Sequence, residues 1–120
     1  MLSHSVPASN ATNVSTIAIG QSASAANTSA IAIGLSANAS NYRAISIGTS
    51  TVNGAISGTA IGAGASIGAW ADNAIAIGTG AVVNGPNGGS KGNNAIAIGF
   101  SATTTGENTI AMGMTAQANK

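Results

Sequence analysis

The chain has 120 residues, room for one domain and too few for two, and its three basic residues stand against two acids and one histidine. That near-neutral balance leaves no electrostatic footprint for nucleic acid or anionic lipid. The absence of cysteine removes both a disulfide framework and a thiolate metal site. Asp72, Glu107 and a lone His4 supply no triad, acid pair or metal cluster, so the composition points away from an enzyme and from any bound cofactor.

The first segment, Met1-Leu2-Ser3-His4-Ser5-Val6-Pro7, lacks the basic patch and long apolar core of a signal peptide, and no stretch of the chain reaches the length of a membrane span. Residues 1–7 are expected to fray. Export information has either been removed or is not used. From residue 17 onward a repeat dominates. It appears as Ile17-Ala18-Ile19-Gly20, Ile31-Ala32-Ile33-Gly34, Ile45-Ser46-Ile47-Gly48, Thr59-Ala60-Ile61-Gly62, Ile75-Ala76-Ile77-Gly78, Ile96-Ala97-Ile98-Gly99 and Ile110-Ala111-Met112-Gly113. Successive terminal glycines are 14, 14, 14, 16, 21 and 14 residues apart, so a 14-residue unit with two local insertions accounts for all seven copies.

Within each copy large and small side chains alternate with period two, which is strand periodicity and places isoleucine on one face and Ala or Ser on the other. A weaker alternation follows each glycine, as in Ser22-Ala23-Ser24-Ala25, Ser36-Ala37-Asn38-Ala39 and Thr115-Ala116-Gln117-Ala118. Turn formers such as Ser40-Asn41, Asp72-Asn73 and Asn93-Asn94 separate the units. The unit is therefore strand, glycine corner, strand, turn, and the chain is a single all-β solenoid over residues 1–120. Equivalent strands stacked at about 4.8 Å per coil give seven units a height of roughly 30 Å. Isoleucine, the one abundant large side chain, is expected to fill a narrow interior. The Ala, Ser and Gly faces then point outward and allow close approach of other chains, which predicts a homo-oligomer.

The repeat resembles that of the YadA-like head of trimeric autotransporter adhesins, N-S-V-A-I-G followed by x-x-A-x-A, and the resemblance covers about residues 8–118. The match is direct at Asn73-Ala74-Ile75-Ala76-Ile77-Gly78, Asn94-Ala95-Ile96-Ala97-Ile98-Gly99 and Asn108-Thr109-Ile110-Ala111-Met112-Gly113. Four earlier copies carry Ser15, Ser29, Arg43 and Ser57 at the Asn position, and none keeps both the family's Ser and Val. The resemblance implies a left-handed parallel β-roll of about seven 14-residue coils, assembled as a side-by-side homotrimer. It also implies display on a Gram-negative bacterial surface, anchored through parts outside this chain, and attachment to host extracellular matrix, such as collagen, or to cell-surface receptors.

Candidate contact residues lie where the repeat is interrupted. The longer insertion, 83–92, contains Asn84, Pro86, Asn87 and Lys91, expected to protrude as a ligand-contacting loop because repeat insertions map to loops on one face. Trp70, in the shorter insertion, and the pair Tyr42-Arg43 are expected at contacts between subunits, where aromatic residues and arginine are enriched. The glycine-rich run from Gly54 to Gly64 is no phosphate loop, because it has neither a following helix nor a suitably placed lysine. A trimeric fibre or decoration module of a phage virion is the alternative reading of the same rod. An ice-binding solenoid requires a flat rank of outward threonines, and Thr103-Thr104-Thr105 stands alone.

Overall fold

The computed structural model describes residues 2–4, 8–84 and 92–119. Among them the chain forms sixteen strands and no helix. The odd-numbered strands have three residues: β1 Leu2–His4, β3 Ile17–Ile19, β5 Ile31–Ile33, β7 Ile45–Ile47, β9 Thr59–Ile61, β11 Ile75–Ile77, β13 Ile96–Ile98 and β15 Ile110–Met112. The even-numbered strands have two: β2 Asn10–Ala11, β4 Ser24–Ala25, β6 Asn38–Ala39, β8 Val52–Asn53, β10 Ser66–Ile67, β12 Val82–Val83, β14 Thr103–Thr104 and β16 Gln117–Ala118. Each set makes one eight-stranded sheet, stacked in chain order and parallel throughout. The two-strand coil expected from the alternation is therefore present, and the parallel solenoid measures 40 × 25 × 19 Å. Register holds across both insertions: Ile61 pairs with Ile77 and Ile77 with Ile98.

Two similar corners close each coil. At the glycine corner Ala23 N–H donates to Gly20 O (3.1 Å), and at the other Ala30 N–H donates to Asn27 O (3.0 Å). The third residue of each turn has positive φ, as in Ser22 (57°), Ser36 (56°), Ser29 (60°) and Asn73 (59°). This accounts for asparagine and serine at the position, since Asn tolerates the left-handed region better than most residues and a short polar side chain can bond locally there, whereas Arg43 holds the same conformation (φ 54°) without either advantage. Asn73, Asn94 and Asn108 add a side-chain ladder along this corner, Asn94 Nδ2 donating to Asn108 Oδ1 at 3.2 Å. The repeat glycines have φ near +130°, and a Cβ at Gly34 would lie 2.6 Å from the carbonyl oxygen of Gly48 in the next coil. Corner backbones also bond from coil to coil, Ser36 N–H to Gln21 O and Arg43 N–H to Thr28 O, so the ladder runs around the coil as well as along the strands.

The expectation of an isoleucine interior is overturned. The side chains sealed inside are alanines: Ala18, Ala32, Ala60, Ala76 and Ala97 from the long strands and Ala25 and Ala39 from the short ones are all 0% exposed. In a three-residue strand the middle side chain points one way and its two neighbours the other, and here the middle residue faces inward while both isoleucines face outward, half-buried. The cause is width. A 14-residue circumference with two tight corners brings the two sheets so close that little more than a methyl group fits between them. The alternation was read correctly and its direction reversed.

Several larger interior side chains are met by a local accommodation. Asn53 occupies the position held by Ala25 and Ala39; its Nδ2 donates to Ile45 O (2.9 Å) and its Oδ1 accepts from Ala55 N–H (3.1 Å). Opposite it is Gly58, where other coils have Ala30 and Ala44, and a Cβ there would lie 2.6 Å from Asn53 Oδ1. Gly92 makes room for Val83 from a different position, the first of its turn, where other coils have Asn27 and Asn41, and a Cβ there would fall 3.0 Å from Val83 Cγ1. Ile67 falls in the coil lengthened by two residues, Thr16 and Thr51 donate to the carbonyls of Asn13 and Gly48, and Thr104, at the same interior position as Val83, is enclosed with its hydroxyl unpaired. A double-mutant cycle checks the first pair. Gly58→Ala and Asn53→Ala are each expected to destabilise by about 1–3 kcal/mol, through a clash and through lost hydrogen bonds respectively, while the double variant, restoring the standard alanine pair, recovers most of the loss in urea unfolding.

Candidate ligand-contact edge

The corner that leads from each short strand into the next long strand differs chemically from the glycine corner. Stacked along it by backbone bonds are Val14, Thr28, Tyr42, Ile56, Asp72 and Asn93, each carbonyl accepting from the next coil, as Tyr42 O does from Ser57 N–H (2.8 Å) and Asp72 O from Asn94 N–H (2.9 Å). Val14 (68% exposed), Tyr42 (50%) and Trp70 (71%) project from it. Arg43, Asp72 and Glu107, the only charged residues with described side chains, all belong to this corner. The glycine corner carries Gln21, Leu35, Thr49, Thr79, Phe100 and Met114 and no charge.

Both insertions emerge here as well. The two extra residues lie between Ile67 and Ala71, and the longer one follows Val83 in the next coil. Trp70 O accepts from Gly92 N–H (2.9 Å), so the end of the long insertion is fastened to the tryptophan segment. At its start Asn84 is exposed, and its N–H donates to Thr104 O (3.0 Å) in the following coil. Pro86, Asn87 and Lys91 lie outside the described residues. Trp70 and Asn84, expected to serve separate roles, are thus on one edge, with Tyr42 and Arg43 two coils away, about 10 Å along the axis.

Fixed backbone supports the exposed groups. Asn41 Oδ1 accepts from Tyr42 N–H (2.9 Å), and Asn41 Nδ2 donates to Gly54 O (3.2 Å), tying the residue before Tyr42 to the next coil. Asp72 Oδ1 accepts from Ile56 N–H (3.0 Å), and Asp72 N–H donates to Asn93 Oδ1 (2.9 Å). Asp72 is therefore a bracing acid between coils, with its second oxygen left for other partners. Among the described residues no three acids, histidines or cysteines gather into a metal site. What the edge offers is contact chemistry: two aromatic rings, an amide row and a few charges on a stiff backbone. The sequence showed both insertions and each aromatic, but their convergence follows only once the strand boundaries place both insertions in the same turn.

The architecture is thus a parallel solenoid with one irregular, residue-diverse edge. The chain belongs to the YadA head domain repeat family, which matches residues 11–37, 25–51, 69–88 and 90–116. The unmatched stretch between residues 51 and 69 includes Asn53, Gly58 and Ile67, where the interior departs from alanine. No curated protein matches the chain. The family consists of adhesin head modules, displayed on the outer surface of bacteria, that form trimers and bind host factors.

Proposed function

We propose that this chain is the head module of a trimeric adhesin that attaches a Gram-negative bacterium to host extracellular matrix or to a cell-surface receptor. Three copies stand side by side with their isoleucine faces together. The observation that carries this reading is the outward direction of the isoleucines. On a column whose interior is alanine, the two half-buried ranks of Ile make one continuous apolar strip along its length, the kind of surface that marks an interface, and neighbouring copies of the same column bury it. The partner surfaces are thus the isoleucine ranks rather than the small-residue faces first expected.

In this reading the insertion edge meets the host ligand. Trp70, Tyr42, Arg43 and Asn84 form one contact surface, to which Pro86, Asn87 and Lys91 are added as candidate ligand contacts on sequence alone, and Trp70 is its anchor because exposed aromatics dominate binding energy when covered. The test is a panel of immobilised matrix proteins, collagen included, and host cells, with the trimer mass measured in parallel. Trp70→Ala is expected to weaken binding at least about tenfold while leaving mass and melting temperature unchanged. Undiminished binding by that variant would remove the edge from the adhesive surface, and a monomeric mass would refute the assembly.

A further inference from the structure

The two outward ranks are nearly uniform. One runs through Ile19, Ile33, Ile47, Ile61, Ile77 and Ile98; the other is interrupted once, at Thr59, which pairs with Ile45 on one side and Ile75 on the other. Among the described side chains Thr59 is the only polar member of either rank. Its side chain is half-buried on the outer face, and its hydroxyl makes no hydrogen bond with the described residues.

Such uniformity leaves an assembly problem. Equivalent positions recur every coil, about 4.8 Å apart, so a neighbour shifted by one coil still sets isoleucine against isoleucine and loses contacts only at the ends. A seam of this kind is well suited to association and poorly suited to fixing its own register. A single polar residue in an apolar seam supplies what the repeat lacks, because it is satisfied only opposite its own kind.

We infer that Thr59 fixes the axial register of the trimer, an inference that rests on the assembly proposed above. With three copies aligned, the three Thr59 hydroxyls stand at one height on the seam, each donating to the next and accepting from the previous, so that none is left unpaired. A shift of one coil sets every Thr59 against isoleucine methyls, stripping water from the hydroxyl with no replacement partner. The residue thereby acts against staggered assemblies rather than adding strength to the aligned one.

Because the chain has no cysteine, register is measurable by disulfide trapping. Ile47→Cys and Ile77→Cys are introduced into two versions of the chain carrying tags of different size, and the two are co-expressed. The positions lie two coils apart in one rank, about 10 Å along the axis, beyond the roughly 7 Å limit for bridging. With Thr59 present, the Ile77→Cys chain is expected to link to its own kind and mixed Ile47→Cys to Ile77→Cys links to be scarce. In the Thr59→Ile background mixed links rise at least about tenfold, the change expected from losing about 1.4 kcal/mol of discrimination, and Thr59→Ser retains the aligned pattern. A Thr59→Ile assembly with no more mixed links than the parent, or abundant mixed links in the parent, overturns the inference while the trimer stands. A monomeric native mass for the cysteine-free chain overturns the trimer itself, so the two failures are distinguishable.

Discussion

Ala76→Ile is expected to unfold the column, whereas Ile77→Ala, one residue along the same strand, leaves every coil folded. Ala76 is wholly enclosed between Ala60 and Ala97 of the adjacent coils, and the opposing sheet stands too close for the added carbons. Overpacking in well-packed cores ordinarily costs about 1–3 kcal/mol because neighbours shift. Here the neighbours are backbone and methyl groups locked in two ladders, and the cost exceeds about 3 kcal/mol. Ile77 projects outward, so its truncation removes surface shared with other copies and makes melting more dependent on concentration. Circular dichroism melts of both variants at two protein concentrations provide the check. If both tolerate substitution alike, or Ala76→Ile is the milder, the alanine interior is wrong.

The second large effect is at the glycine corner. Gly62→Ala introduces a Cβ 2.6 Å from the carbonyl carbon and oxygen of Gly78, at a φ of +130° that side chains rarely adopt. Clash and backbone strain act together, each a recognised route to severe destabilisation, and a loss of more than about 4 kcal/mol is expected. Gly113→Ala serves as the control: φ is +120° but no atom lies within 4 Å of the added carbon, so only strain remains, about 1–3 kcal/mol. Gly64→Ser is milder still, because φ is +68° with open space around it, and Ser22, Ser36 and Ser50 hold the equivalent turn position in other coils. Chemical unfolding of the three variants should rank them in that order, and equal losses for Gly62→Ala and Gly113→Ala would remove the contact between coils as the reason for glycine.

Much of this fold was legible before any coordinates. The 14-residue spacing of the glycines fixed the coil, period-two alternation fixed the strands, and the turn residues fixed the corners. The error was the direction of the alternation. The general rule that large apolar residues go inside assumes an interior wide enough to hold them, and Ile17-Ala18-Ile19 belongs to a coil too thin for that. A clue was present: interior positions must suit both sheets, and alanine recurs in both halves of most units, whereas isoleucine is nearly confined to one. The Asn53 and Gly58 exchange was also visible as two simultaneous departures from alanine in one unit, but its meaning depends on their facing each other across the interior. For the edge, the spacing disclosed that the repeat was lengthened twice; the bond from Gly92 N–H to Trp70 O depends on how the long insertion returns.

The glycine stack has a polarity. Each repeat glycine is imposed by the coil that follows it, since the nearest obstructing atoms belong to the next repeat glycine in the chain, and Gly113, with no described coil beyond it, meets none. A coil therefore makes a demand on its predecessor and none on its successor. For a gene that grows by duplicating a 14-codon unit, every internal copy must keep its glycine at once, while a last copy answers only to the strain of its own positive φ until another is added behind it. Length can thus change in steps of one coil, about 4.8 Å each, without redesign of the coils already present.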